Sequence, residues 1–295
     1  MVLFQFQDYT SWKAYEGTSE GSGRSEKKWL VSDSGEIGLF KFPKSDLTYE
    51  HVSEHMAHQI GEIVGIPTAK VELGVYQGRK GSMSYRINQS NEEIIEGALF
   101  ILGLHPHYDL NKMQDLDTEK YYSMNNIFEI FDNKQINNYW IDMMLFDFLI
   151  GNSDRHQNNW ALLLLPNSKE YMKLRVCPLY DNGSSLCCYI CDDQIEKYAN
   201  KDSFEALVDR QSKSIIRIDG TNKKKPTHKE VVQHLYAHYP NSRNTIDRFI
   251  EIMTTDQIDI LLNSYPEDIL PEKRKQLIAR FLNAKLGILN DMRKE

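Results

Sequence analysis

The chain has no membrane-length apolar run, few cysteines and no excess of positive charge. No stretch reaches the ~20 apolar residues that a spanning helix needs, and the longest candidate, residues 139–150, is interrupted by Asp142 and Asp147. The start, Met1-Val-Leu-Phe-Gln-Phe-Gln-Asp8, has no basic region ahead of an apolar one. These two absences predict a cytoplasmic protein without membrane insertion, whose export would need a route that uses no signal peptide. The four cysteines, Cys177, Cys187, Cys188 and Cys191, are too few and too clustered for a disulfide scaffold. Cys188-Tyr-Ile-Cys191 lacks the second pair or nearby histidine that would complete a zinc set, so free thiols are expected. With 35 Lys and Arg against 42 Asp and Glu, the net charge of −7 argues against non-specific binding to phosphate backbones, and no direct nucleic-acid binding is expected. The Lys223-Lys224-Lys225 run reads as a solvated loop. No internal repeat or long low-complexity linker interrupts the chain.

What is present is enough material for a substantial core: 295 residues, 41% hydrophobic, suit two lobes around one cleft. The most informative stretch is Ile150-Gly-Asn-Ser-Asp-Arg-His-Gln-Asn-Asn-Trp160, followed by Leu179-Tyr-Asp-Asn-Gly-Ser-Ser185. Tyr139 to Ile150 is rich in large apolar residues and predicts a buried helix stopped by Gly151-Asn152. Trp160–Leu165 and Met172–Leu179 predict two strands joined by a turn at Pro166–Lys169. The order is therefore helix, acidic loop, hairpin, acidic loop. Alone, Asp-Arg-His suits a solvated loop and Asp-Asn-Gly a type I′ turn. In this order they match the two loops of a phosphotransferase, where one Asp orients the acceptor, an Asn five residues on holds Mg2+, and a second loop supplies another metal-binding Asp. Those residues are Asp154, Asn159 and Asp181.

Asp154-Arg155-His156-Gln157-Asn158-Asn159 and Pro178-Leu179-Tyr180-Asp181 resemble, residue by residue, the Asp-x-His-x-x-Asn and Tyr-Asp loops of the HipA-like bacterial serine/threonine kinases. The Asp-Arg-His variant is also similar to lipid-kinase-like catalytic loops, so this loop alone leaves protein and small-molecule acceptors open. Size and spacing resemble a compact, stand-alone branch of the HipA-like family. Only forty residues precede Lys41, which leaves no room for the extra N-terminal subdomain that longer members use toward an antitoxin and operator DNA. The resemblance implies an α+β, two-lobed, protein-kinase-like fold, with residues 1–90 as a β-rich N-lobe, residues 91–295 as a mainly helical C-lobe, and an ATP cleft between them. ATP and Mg2+ are the implied cofactors, and a protein of unknown identity the implied substrate.

A kinase needs an ATP-anchoring lysine on an upstream strand, paired with a helix glutamate. Trp29–Ser32 and Ile37–Phe42 read as a hairpin with Lys41 between two Phe. Tyr49–Val64 has helical spacing of Val52, Met56, Ile60 and Val64 before Gly65-Ile66-Pro67, which makes Glu54 the expected partner, with Glu50 second. Ahead of the hairpin, Gly17–Lys28 is a glycine-rich loop whose Gly21, Ser22 and Gly23 suit close approach to phosphates. The resemblance adds autophosphorylation of a serine there, with Ser19, Ser22 or Ser25 as candidates, and adenine contacts from the backbone near Tyr85 and Ile87. His156 is expected to brace Asp181 or to serve as a structural hydrogen-bonder, not to take the proton. Two helices, Ser242–Asn263 and Pro271–Met292, should pack beneath the loops. The leading reading is an autophosphorylating serine/threonine kinase. A small-molecule or lipid kinase and an inactive kinase-like binding module are the alternatives, and the acidic net charge suggests a basic protein segment as acceptor.

Overall fold

The computed structural model describes residues 3–17, 26–130, 134–165 and 173–294. Two short strands, β1 (Gln7–Asp8) and β2 (Lys13–Ala14), precede the predicted hairpin of β3 (Lys27–Val31) and β4 (Ile37–Lys41). Gly35, at φ +89°, supplies the left-handed residue of its turn. Helix α1 (Glu50–Val64) follows and is closed by Gly65 at φ +70°, whose N–H caps the Gly61 carbonyl. Strands β5 (Val71–Tyr76) and β6 (Arg79–Tyr85) complete a six-stranded sheet in the order β1-β5-β6-β4-β3-β2. Its pairings are antiparallel except for β1 with β5. A core of Tyr9, Leu30, Phe40, Phe42, Tyr76 and Met83 packs on one face. Lys41 lies opposite Ser82 at the end of β4. A Cβ on the neighbouring Gly81 would come within 2.4 Å of the Lys41 carbonyl, so the two strands approach closely there.

The chain leaves this sheet at Tyr85 and enters a second one at β7 (Glu93–Glu96). After α2 (Gly97–Leu104), a small hairpin of β8 (Tyr108–Asp109) and β9 (Gln114–Asp115), and α3 (Met124–Glu129), the long α4 (Lys134–Ile150) crosses the core. From Trp140 to Ile150 all but Asp142 are buried. Strands β10 (Ala161–Leu165) and β11 (Lys173–Val176) pair antiparallel, and β10 also pairs with β7. The expected turn at residues 166–169 lies outside the described residues.

The remainder is helical: α5 (Lys201–Glu205), α6 (His228–His238), α7 (Ser242–Ile252), α8 (Thr255–Asn263) and α9 (Glu272–Lys294). The single helix expected over Ser242–Asn263 is thus two. Thr254 breaks it, leaving the helical conformation and accepting the Gln257 N–H at 3.2 Å as the N-cap of α8. One large core joins α1, α4, α6, α7, α8 and α9. No helix among the described residues is long and apolar enough to cross a membrane, and all four cysteines are unpaired thiols.

Candidate active site

Gly151, at φ +69°, ends α4 and turns the chain into the first acidic loop. The loop is built on its own hydrogen bonds. The Asn152 side-chain amide donates to Asp147 Oδ1 at 3.0 Å, the Asp154 N–H donates to Asn152 Oδ1 at 3.1 Å, and Asn159 Nδ2 donates to the Asp154 carbonyl at 2.7 Å. Asp154 and Asn159 are therefore held on one tight turn.

Between them Arg155 is turned inward and is 1% exposed. Its Nε and Nη2 donate to the Asp147 carboxylate at 3.0 and 2.7 Å. Nη1 reaches the Asn159 carbonyl at 2.8 Å and the Tyr180 carbonyl at 2.7 Å, and Nη2 reaches Asn182 Oδ1. One guanidinium thus ties α4, the first loop and the second loop together. The planar fork of arginine permits this, whereas a lysine ammonium has neither the reach nor the donor count.

The second loop carries Asp181 at φ +57°, a left-handed conformation that Asp tolerates better than most residues. Asp181 Oδ1 accepts from Lys41 Nζ at 2.8 Å, and the same ammonium donates to Glu54 Oε2 at 3.2 Å. The other Glu54 oxygen accepts the Asn182 N–H at 3.1 Å. The strand lysine, the helix glutamate and the second acidic loop therefore meet at one point. Leu179, two residues before Asp181, exchanges backbone hydrogen bonds of 2.8 Å with Pro67 and Ala69, fixing this loop to the segment after α1.

The electrostatics follow from these contacts. The Lys41 ammonium holds the Asp181 carboxyl down to about 2, against burial. Burial would lower the Lys41 pKa, but Asp181 and Glu54 outweigh it and hold the ammonium above its ordinary value. Burial raises Asp154, with His156 opposing and Asp181 reinforcing. Two neighbouring carboxyls are pushed apart in acidity, a common arrangement where one group binds charge and another handles a proton. Glu50 lies one turn before Glu54, and both its carboxylate oxygens are buried without a hydrogen-bond partner among the described residues.

No group of three His, Cys, Asp or Glu side chains able to hold a metal occurs among the described residues. The donors that fit a cation here are the ionised Asp181 and the amide of Asn159, a hard oxygen set that suits Mg2+ completed by phosphate oxygens. The remaining expected positions are distributed less compactly. Gly21, Ser22 and Gly23, with Ser19 and Ser25, lie outside the described residues. Tyr85 donates its N–H to the Lys70 carbonyl at 2.9 Å and its hydroxyl to Glu72 at 2.8 Å. Ile87 packs on a small apolar cluster of Ala161, Leu163 and Cys177, beside Tyr180. No hydrogen bond links His156 to Asp181 among the described residues. Its Nδ1 instead accepts the Asn158 N–H at 3.2 Å, and the second loop is braced by Lys41 and Arg155.

A second set of buried polar groups lies under the first loop. Lys285 of α9, wholly buried, donates to the Val208 carbonyl and to Ser212 Oγ, both at 2.8 Å. Ser212 Oγ lies 2.9 Å from His228 Nδ1, and His228 Nε2 lies 2.9 Å from the Asn152 carbonyl. A carbonyl only accepts, so Nε2 carries the proton and Nδ1 accepts from the serine hydroxyl. Burial keeps this ring neutral, down to about 3. No sequence motif announced Lys285, His228 or Arg155 as site-supporting residues. The one available signal was Asp147, an aspartate within the apolar run of residues 143–150, which called for a buried cation.

The model of the HipA-like C-terminal domain matches residues 20–243. The chain belongs to that family. The serine/threonine-protein kinase CtkA of Helicobacter pylori (strain J99 / ATCC 700824) is 25% identical over 288 residues, which cover 92% of this chain and 82% of that protein. The crystal structure of the H. pylori proinflammatory kinase CtkA superposes with a TM-score of 0.82 at 20% identity over 99% of both chains. Shewanella oneidensis MR-1 HipA, solved with HipB and operator DNA, gives 0.59 at 15% identity over 95% of this chain and 68% of that one. These likenesses establish the α+β kinase-like fold, a mixed-sheet lobe joined to a helical region, and the near-complete mutual coverage with CtkA agrees with the compact branch of the HipA-like family. The named activity of CtkA supports kinase activity at the level of the family.

Two outcomes test this architecture. Arg155→Ala leaves the Asp147 carboxylate buried and unpaired, which costs about 3–5 kcal/mol in urea unfolding; a loss below about 1 kcal/mol would mean that the pair is not load-carrying in the folded state. Burial lowers the Lys285 pKa from 10.5 to about 7. Between those values the unfolded chain holds a proton that the folded chain has released, so stability rises with pH. Lys285→Met should remove this rise, measured as the difference between wild type and variant at pH 7 and pH 9; a constant difference contradicts the assignment.

Proposed function

We propose that this chain is an ATP- and Mg2+-dependent serine/threonine protein kinase that autophosphorylates. The observation that carries the reading is the convergence of Lys41, Glu54 and Asp181, with Asp154 and Asn159 on a loop held to the Asp181 loop by one buried arginine. The activity named for CtkA points the same way.

In this reading residues 1–90 and 91–295 are the two lobes and the nucleotide lies between them. The adenine ring is placed against the backbone near Tyr85 and Ile87, where the partly buried Ile87 and Tyr180 cover the buried cluster of Ala161, Leu163 and Cys177. Lys41, kept charged by two carboxylates, grips the α and β phosphates, as its counterpart does in kinases generally. Asn159 turns its amide nitrogen to the Asp154 carbonyl, which leaves its oxygen to join Asp181 as a metal ligand. Mg2+ held there supplies charge neutralisation of the triphosphate and of the transferring phosphoryl group. Asp154, its carboxyl pKa raised by burial, orients the acceptor hydroxyl and takes its proton. His156 acts within the loop, through Asn158, and not as the base. The serines Ser19, Ser22 and Ser25, with Gly21 and Gly23 in the glycine-rich loop, are the acceptors proposed for autophosphorylation.

Incubation of wild-type and variant protein with Mg2+ and γ-labelled ATP, followed by mapping of labelled residues by mass spectrometry, tests the reading. Asp154→Ala should cut transfer by on the order of 10²–10⁴ while leaving ATP affinity nearly intact. Lys41→Ala and Asp181→Ala should abolish transfer, and Asp181→Ala should also weaken Mg2+-ATP binding. Label on serine or threonine in wild type alone supports a protein kinase. Turnover of ATP into an extractable phosphorylated small molecule, with unlabelled protein, selects the small-molecule reading instead, and wild-type transfer by Asp154→Ala contradicts the assignment of the base.

A further inference from the structure

The rim around Asp154 is basic, although the chain as a whole carries a net charge of −7. Lys44, three residues beyond Lys41, is exposed and donates to the Tyr189 hydroxyl at 2.8 Å, with its ammonium 4.6 Å from the centre of that ring. The same hydroxyl lies 2.8 Å from Ser184 Oγ. The Ser184 carbonyl in turn accepts the N–H of Ser153, the residue before Asp154, at 3.3 Å. Lys44 is thus linked through two hydroxyls and one backbone contact to the first acidic loop.

The Lys223-Lys224-Lys225 loop approaches the same aspartate from the helical side. It ends three residues before His228, whose Nε2 donates to the Asn152 carbonyl at 2.9 Å, so the loop is anchored two residues from Asp154. From beneath, the buried Arg217 donates to the Asn222 carbonyl at 3.0 Å and the Lys223 carbonyl at 2.8 Å, and the Lys224 N–H donates to Asn222 Oδ1 at 2.8 Å. The backbone of the loop is therefore held in place while its three lysine side chains stay exposed. Lys224 and Lys225 line a cavity of about 420 Å3 together with Arg217, Thr221 and Asn222. Two carboxylates share this lining, Asp219 accepting from Thr221 and Glu230 from the Thr227 N–H, and the three cations Arg217, Lys224 and Lys225 outnumber them. None of Lys223, Lys224 and Lys225 forms an ion pair among the described residues. Both Lys44 and Lys225 lie near enough to Asp154 to lower its carboxyl pKa, against the larger effect of burial.

From this arrangement we infer that Lys44, Lys224 and Lys225 form an acceptor-docking rim that selects an anionic peptide, a serine or threonine flanked by aspartate, glutamate or a phosphorylated residue. The inference rests on the kinase reading for its acceptor, and it reverses the expectation of a basic substrate drawn from net charge. Net charge sets the far field of a protein, but selection at a cleft follows the charges lining it, where like-charge contacts are penalised directly. No new bond chemistry is involved: the rim orients the peptide, and transfer proceeds at Asp154.

The test pairs a binding readout with a transfer readout. Fluorescein-labelled serine peptides of one scaffold, flanked by glutamate, phosphoserine, alanine or lysine, are titrated with the full chain and followed by anisotropy. The same peptides are then offered with Mg2+ and γ-labelled ATP. Glutamate or phosphoserine peptides should bind about tenfold tighter than lysine ones, with the preference falling at high salt. The ratio between glutamate and phosphoserine tells a carboxylate site from a phosphate site. Lys224→Glu/Lys225→Glu should collapse the preference and Lys44→Glu should reduce it. Lys294→Glu, at the C-terminal end of α9, matches the charge change of Lys44→Glu and should keep it, as should Lys273→Glu/Lys294→Glu, which matches the double reversal. A preference for lysine peptides, equal binding of all four, a preference untouched by the reversals, or displacement of every peptide by a short oligonucleotide that binds more tightly overturns the inference. Anionic-peptide binding without transfer from ATP to any peptide or to the chain itself leaves the rim standing and removes the kinase reading.

Discussion

The site depends on one buried guanidinium. Arg155 sits between Asp154 and Asn159 in sequence, but its side chain points away from both functional groups, into the core, where Asp147 neutralises it. Its remaining donors hold the Asn159 and Tyr180 carbonyls, one on each acidic loop. Burying such a pair is unfavourable in itself, because two charges lose their water, and a well-packed apolar replacement is often as stable. What an apolar pair cannot do is fix two irregular loops to one another through their backbone oxygens. The interaction is therefore best understood as one that sets geometry.

Around this clamp the other contacts form a consistent frame. Lys41 reaches the Asp181 loop from the sheet, Glu54 reaches it from α1, and the exchange of Leu179 with Pro67 and Ala69 locks its approach strand. Helix α1 is itself held at its back, where His55 Nδ1 lies 2.7 Å from the Tyr265 hydroxyl and Phe4 packs on both rings. From below, the Lys285, Ser212 and His228 chain supports the Asn152 carbonyl. Each acidic loop is thus restrained by side chains from elements distant in sequence. That is how a segment with little regular structure keeps a defined shape.

The parts legible in sequence were those set by local pattern. The Lys41 hairpin, α1 with its Gly65 stop, the apolar α4 and the β10–β11 pair follow from alternation, helical spacing and turn residues. The spacing from Asp154 to Asn159 pointed to the loop because a short loop constrains its own geometry. Glu50 and Glu54, one turn apart, share a helix face, so spacing alone could only rank them; the structure pairs Glu54 with Lys41, while the Glu50 carboxylate has no hydrogen-bond partner among the described residues. Arg155 was not legible as a clamp, since arginine is usually exposed and only tertiary packing turns it inward. The break between α7 and α8 was missed because the apolar stripe continues across it. The signal was Thr254 followed three residues later by Gln257, a helix-start pattern inside what reads as one helix. The lysines of residues 223–225 are exposed, as a solvated loop requires, whereas the anchors of its backbone, Arg217 and His228, were not legible because they meet it only in three dimensions.

The central claim is that the joined loops and Lys41 make one metal–nucleotide site. Calorimetric titration of ATP into the wild-type chain, with and without Mg2+, tests it most directly. The account predicts saturable binding of about one nucleotide per chain that tightens at least tenfold when Mg2+ is present, because Asp181 then meets phosphate through the cation instead of repelling it. Binding unaffected by Mg2+, or no binding in either condition, would contradict it.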